Sequence, residues 1–350
     1  MPVIEKDKST IESRMAVLDE ARLAAAAEPA LEPDLPIIDP HHHLWDFPSH
    51  RYLLEELLAD TGSGHKIEQT VFIECAVFYR PDVGKAMRVV GEVEFVNGVA
   101  AMTAGGRYGP TKVAAGIVGT ADLMLGAKVE EVLAAQVAAG GGRFKGIRHA
   151  AGWEDKTREI HNSHSNPPQH LYRDHAAFRE GFAKLGELGL SFDAWVYHTQ
   201  LADLIDLARS FPDQAIVLNH VGGPMRLGWY ALRKAQEFEQ WRAAIVELAS
   251  CPNVSIKLGG LGMKLNGFGF ENREHAPSSN ELVDAWRPFI ETCIEAYGAK
   301  RCMFESNFPV DKISGGYSNY WNAFKKLASG ASAEDKALLF KGTAEKFYRL

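Results

Sequence analysis

Residues 36–46 read PIIDPHHHLWD, and the fold turns on how this run is interpreted. Two isoleucines between prolines make a short apolar strand that ends in polar residues rather than in glycines. A doubly wound sheet that binds a dinucleotide needs a glycine-rich phosphate turn after its first strand, and this run has none. A (β/α)8 barrel, by contrast, carries its chemistry at the C-terminal ends of its strands. Side chains alternate along an extended strand, so His41 and His43 share one face and His42 takes the other. An HxH pair at the end of a buried strand can grip one metal ion or contact a substrate directly.

Seven more apolar runs follow: QTVFIECAV at 69–77, VAAGIVG at 113–119, RFKGIRHA at 143–150, LSFDAWVYH at 190–198, AIVLNHVGG at 215–223, NVSIKLGGL at 253–261 and RCMFESNFPV at 301–310. Stretches of helical period separate them, most ending in Gly or running into Pro, as helix stops do. Continuous rather than alternating apolar strands are what a parallel sheet buried on both faces requires. Eight βα units predict a (β/α)8 TIM barrel over residues 36–350. The segment between Ala151 and Tyr197 contains HNSHSNPPQH, polar and helix-breaking, and reads as a long βα loop at the barrel mouth. Its His161, His164 and His170 read as a solvated lid rather than a second metal site. Residues 9–27 read as a helix stopped by the Pro-bearing EPALEPDLP, so 1–35 form an N-terminal helical arm. The arm can pack on its own body or on a second copy, and the sequence leaves both a monomer and a homodimer open.

The 350 residues carry 38 Lys+Arg against 45 Asp+Glu, a formal charge of −7, with no basic stripe or tail. That argues against nucleic acid as a partner. No apolar run approaches the ~18 residues of a membrane span, and the opening MPVIEKDKST lacks the apolar core of a secretory signal, which predicts a cytoplasmic protein. Four cysteines without CxxC spacing fit a reducing compartment as small buried residues.

Charged residues on the inner faces of the strands are costly unless paired, so Glu74 and Glu305 need explaining. Arg148 is read either as a bidentate clamp for a substrate carboxylate or as the buried ion-pair partner of Glu74 or Glu305, and Lys257 as a substrate contact or the neutraliser of one of the same two carboxylates. Of the aromatic residues near strand ends, Trp45 and Trp153 are expected to wall a pocket.

The DxHxH element, the His-bearing WVYHTQ and VLNHVGGP, and the last-strand CMFESNFPVD resemble the amidohydrolase superfamily. More narrowly they resemble its amidohydrolase-2 branch of metal-dependent TIM-barrel hydrolases, which includes sugar lactonases and 2-pyrone-4,6-dicarboxylate lactonase. The resemblance makes His41, His43, His198 and His220 the candidate ligands of a divalent metal, zinc or manganese; some lactonases of the branch polarise the carbonyl with the same histidines and no metal. The superfamily's last-strand aspartate, metal ligand and general base, is here Asn307, and a carboxamide cannot accept a proton at neutral pH. Glu305, one layer deeper on the same face, is then the expected base, with Asp39, Glu74 and Asp311 as further candidates. The implied activity is lactone hydrolysis of a small, anionic substrate, assisted by Glu305, His220, Asn307 and Arg148. Two other readings are metal-dependent decarboxylation of an aromatic or enoic acid and a small-acid binding protein on a retired enzyme scaffold.

Overall fold

The computed structural model describes residues 18–48 and 50–350. Eight parallel strands follow one another in chain order: β1 (Pro36–His42), β2 (Lys66–Ile73), β3 (Lys112–Gly119), β4 (Phe144–Arg148), β5 (Ser191–Ala194), β6 (Ile216–Leu218), β7 (Val254–Leu258) and β8 (Cys302–Phe304). Each of the eight runs named above contributes one of them. A helix follows each strand on the outside, from Leu54–Thr61 after β1 to Tyr317–Leu327 after β8. The chain is a (β/α)8 TIM barrel. Two short antiparallel strands, Trp45–Phe47 and His50–Tyr52, intervene after β1.

The barrel closes beyond β8, where the Asn307 amide donates to His41 O (3.0 Å) and the His43 amide donates to Phe308 O (2.8 Å). The residues that close the sheet are therefore also residues of the candidate site. Alternation along the strands divides the core in two. Ile37, Phe72, Ile117, Phe192, Ile256 and Phe304 join the large cluster shared with the helices, whereas Ile38, Val71, Ile73, Val118, Val217 and Met303 fill the interior. Ala344 and Tyr348 of the last helix, Thr343–Tyr348, belong to the interior cluster.

The described part of the arm packs on its own barrel. Arg22 Nε donates to Arg273 O (2.9 Å), Leu31 N donates to Asn322 Oδ1 (2.8 Å) and Lys325 Nζ donates to Leu31 O (2.7 Å). Within it a helix spans Glu20–Ala25; residues 9–17 of the predicted helix lie outside the described residues. Among the described residues no helix is long and apolar enough to cross a membrane.

Candidate active site

The pairing of β1 with β2 slips between Asp39 and His42. This irregularity sends His41 inward, while His42 turns outward against Phe72 and hydrogen-bonds Thr70 Oγ1 through Nε2 (2.9 Å). Beneath the barrel mouth Glu305 is fully buried and stands between two imidazoles. His220 donates to its Oε1 through Nδ1 (2.7 Å) and through the main-chain amide (3.1 Å). His41 Nδ1 lies 2.7 Å from Oε2. The His43 Nδ1 donates to Ile73 O (2.8 Å). The His220 and His43 rings are thus oriented through Nδ1 as donors, the arrangement by which a protein fixes the tautomer and direction of a functional imidazole, whereas His41 Nδ1 accepts from Lys257 Nζ (3.3 Å). The His41 and His220 ring centroids are 4.5 Å apart, and those of His41 and His43 5.0 Å.

Backbone geometry makes room for this cluster. His220, Val221, Gly222 and Gly223 all have φ between +47° and +77°, a run in which glycine is the comfortable residue. On β7's extension, a Cβ at Gly260 (φ +66°) would meet the His220 ring, and one at Gly259 would meet Glu305, each inside 3.0 Å. The glycine pair after β7 therefore exists so that a histidine from β6 and a glutamate from β8 can approach the same point.

A second group lies across from β2 to β4. Arg148 donates through Nε to Glu74 Oε1 and through Nη2 to Glu74 O, both at 2.7 Å, and His164 Nε2 stands 3.3 Å from Glu74 Oε2. Of the two readings of Arg148, the ion pair with Glu74 is therefore present, and Arg148 also lines the cavity. Burial acts to raise the Glu74 carboxyl, but Arg148 and His164 outweigh it and hold Glu74 below the usual carboxylate value. The cavity above both groups has a volume of about 430 Å³ and is walled by His43, Trp45, Arg148, His164, Trp195, Tyr197, His220 and Asn307, among others. Trp45 stacks on His43 with 5.7 Å between centroids, and Trp195 meets His220 edge to face at 4.7 Å.

Burial, and then the Lys257 ammonium, push His41 well below the usual imidazole value; burial and then Arg148 do so for His43. Burial also lowers His220, with Glu305 acting against it. The neutral imidazole is the form that ligates a cation. His41, His220 and Glu305 offer ligand atoms that all lie within 4.8 Å of one another. His41 Nε2 and Glu305 Oε2 are buried without a hydrogen-bond partner, Oε2 despite its 2.7 Å separation from His41 Nδ1. Two imidazoles with a carboxylate beside them are a donor set that fits a divalent cation.

Three expected site residues fall elsewhere. β5 ends at Ala194, so the extended alternation does not reach His198, which sits in a turn; its Nε2 bonds Glu237 Oε2 (2.9 Å) and its Nδ1 accepts from Met225 N (3.2 Å). His198 is thereby removed from the cluster of candidate ligands. Lys257 is fully buried and is no substrate contact; it pairs not with Glu74 or Glu305 but with Asp193 (2.7 Å), and also donates to Pro40 O (2.9 Å) beneath His41. Trp153 is only half-buried and off the cavity wall, with its amide donating to Gln200 Oε1 (2.9 Å); Trp195 and Tyr197 occupy the wall instead. His43 lines the cavity but stands outside the close His41–His220–Glu305 group.

Sequence reasoning passed over His164, Asp193 and the Gly259–Gly260 pair. The loop histidines read as lid, yet the loop folds inward from Ile160 to His164, while His170 turns to Asp203 (2.8 Å). Asp193 sits two residues before Trp195 on the inward register of β5, a position from which a partner for Lys257 could have been read. Asp39 holds the base of the site together: it accepts from Ser306 Oγ (2.6 Å), Ser306 N (3.0 Å) and Tyr317 Oη (2.9 Å), and burial raises its carboxyl to about 6. Asp311 is also pushed well above its usual value by burial, against the donors Gly262 N and Asn307 Nδ2.

Comparison with known proteins agrees with this architecture. A family model described as amidohydrolase matches residues 38–350, and the chain belongs to that family. An uncharacterised protein, y4mH, of Sinorhizobium fredii is 32% identical over 91% of this chain and 99% of its own length. An L-fucono-1,5-lactonase of Burkholderia multivorans is 28% identical over 60% of this chain and 64% of its own. An amidohydrolase of Burkholderia multivorans, solved with bound zinc, superposes with a TM-score of 0.69 at 22% identity, covering 90% of this chain and 99% of that one.

Proposed function

We propose that this amidohydrolase-family protein is a lactonase that opens a cyclic ester of a sugar acid or a carboxylated lactone. The observation that carries the reading is Glu305, fully buried and set against His41 and His220 at the foot of an aromatic-walled cavity. The relation to L-fucono-1,5-lactonases supports it.

His41 and His220, beside Glu305, would hold a divalent cation, zinc or manganese, which when bound would polarise a carbonyl and acidify water. The rest of the chemistry belongs to the chain. Trp45 and Trp195 offer apolar faces that position a ring and exclude bulk water. Arg148 and His164, both anchored on Glu74, contact substituents of that ring. Glu305 takes the proton of the attacking water through Oε2, which has no hydrogen-bond partner among the described residues, and His220 holds the carboxylate in place through Oε1. The water oxygen bonds to the carbonyl carbon, the carbon–ring-oxygen bond breaks, and the leaving alkoxide takes the proton from Glu305. The products are one hydroxyl and one carboxylic acid, which ionises near neutral pH to a carboxylate and a released proton.

Acid release from a panel of aldonolactones and carboxylated lactones, followed with a pH indicator, tests the reading. Ring opening well above the spontaneous rate is expected. Silence across the panel, with CO2 released from aromatic acids, would replace it with a decarboxylase.

A further inference from the structure

Asn307 stands two residues beyond Glu305 and lines the same cavity as His220. Its amide donates to His41 O (3.0 Å), which ties it to the base of the cluster. Its φ of +57° is a left-handed conformation that asparagine tolerates better than most side chains. What its carboxamide can do depends on which end faces the site, and Asp311 decides this. The Asn307 Nδ2 donates to Asp311 Oδ1 (2.7 Å), and Gly262 N donates to Asp311 Oδ2 (2.7 Å). Both carboxylate oxygens of a fully buried aspartate are therefore engaged by donors. The approach is built in: a Cβ at Gly262 would collide with the Tyr320 hydroxyl and with the Asp311 carboxyl, and Tyr320 in turn donates to Asp311 O (3.0 Å).

With its only donor group spent on Asp311, Asn307 is left with Oδ1, a buried acceptor that has no hydrogen-bond partner among the described residues. His41 Nε2 and Glu305 Oε2 are orphaned in the same way. An unsatisfied buried acceptor such as Asn307 Oδ1 is expensive, and a cation beside His41 and His220 would satisfy it.

We propose that Asp311 is a positioning residue that holds Asn307 with Oδ1 toward the His41–His220–Glu305 cluster, so that Asn307 gives an oxygen to a divalent cation while Glu305 keeps an oxygen for the proton. Work that a single aspartate could do is divided between two side chains. The inference rests on the cation-assisted reading above.

The test compares wild type, Asp311→Asn and the exchanged pair Asn307→Asp/Asp311→Asn by zinc competition against a chromophoric chelator. In Asp311→Asn the side chain cannot accept from both Gly262 N and Asn307 Nδ2, so the Asn307 amide loses its anchor. Zinc affinity should fall by about 10- to 100-fold, as for other groups that orient a ligand. The exchanged pair restores a donor at 311 and an acceptor at 307, and should recover affinity to within about threefold of wild type, a rescue that a purely structural role for Asp311 would not produce. Side-chain amide hydrogen exchange, read by NMR in wild type, needs no variant that folds: slow exchange of the Asn307 amide is expected from its bond to buried Asp311. Unchanged zinc affinity in Asp311→Asn, no recovery in the exchanged pair, or rapid exchange in wild type each overturns the proposal. A wild-type protein that binds no zinc at all overturns it together with the cation-assisted reading, whereas lactone turnover then still tests hydrolysis by itself.

Discussion

Gly260→Ala separates the geometry of the site from the stability of the barrel. The residue has φ +66°, and its added Cβ would meet Cβ, Cγ and Nδ1 of His220. Gly269 is a matched control, with φ +71° and nothing within 4 Å of an added Cβ. Both substitutions carry the left-handed penalty of about 1–2 kcal/mol. Only Gly260→Ala adds overpacking against a buried ring that is itself hydrogen-bonded to Glu305, worth about 1–3 kcal/mol more. Gly260→Ala should therefore lose about 2–5 kcal/mol and Gly269→Ala about 1–2, read from urea unfolding with a common m-value. The clash falls on the ring that Glu305 holds, and a displacement on the order of 1 Å at a reacting group can cost about 10²-fold in rate. Lactone turnover and zinc affinity should fall steeply in Gly260→Ala and stay near wild type in Gly269→Ala. Equal destabilisation of the two variants, with turnover intact in Gly260→Ala, would refute the claim that this glycine exists to admit His220.

Glu305→Gln should lower kcat by about 10²- to 10⁴-fold with an unchanged melting temperature; a variant that fails to fold would instead make Glu305 a structural partner of His41 and His220. Breaking the buried Lys257–Asp193 pair with Lys257→Met should destabilise the protein by about 3–5 kcal/mol, because Asp193 is left charged and buried; a urea midpoint within error of wild type would contradict the ion pair. Burial, and then the Glu74 charge, push the Glu92 carboxyl up to about 8. The fold thus holds this proton while the unfolded chain releases it near the ordinary glutamate value, so stability is full below about pH 4.5 and falls as pH rises toward and through 8. Glu92→Gln, which can still accept at Oε1 from Cys75 N and Val77 N, should be indistinguishable near pH 5 and more stable near pH 9 by on the order of a few kcal/mol, measured as urea midpoints across that range.

The barrel and the place of its candidate site were legible in the linear order of residues. Strand formation in a buried parallel sheet is a local property of short apolar runs, and each of the eight runs became a strand. The expectations that PIIDPHHH marks a candidate site, and that Glu305 rather than Asn307 would take a proton, likewise come from residue type and from period-two alternation on one strand. What the sequence could not determine is where extended alternation stops and which partners meet. Ending β5 at Ala194 rather than at His198 turns that histidine toward Glu237, and a slip in the β1–β2 pairing brings His41 inward. The Lys257–Asp193 and Arg148–Glu74 pairs, the inward fold of the loop that carries His164, and the Asp311–Asn307 bond join residues from different strands and loops. Their energies come from mutual desolvation and close contact, which exist only once the barrel has closed and therefore leave no periodic mark on the chain.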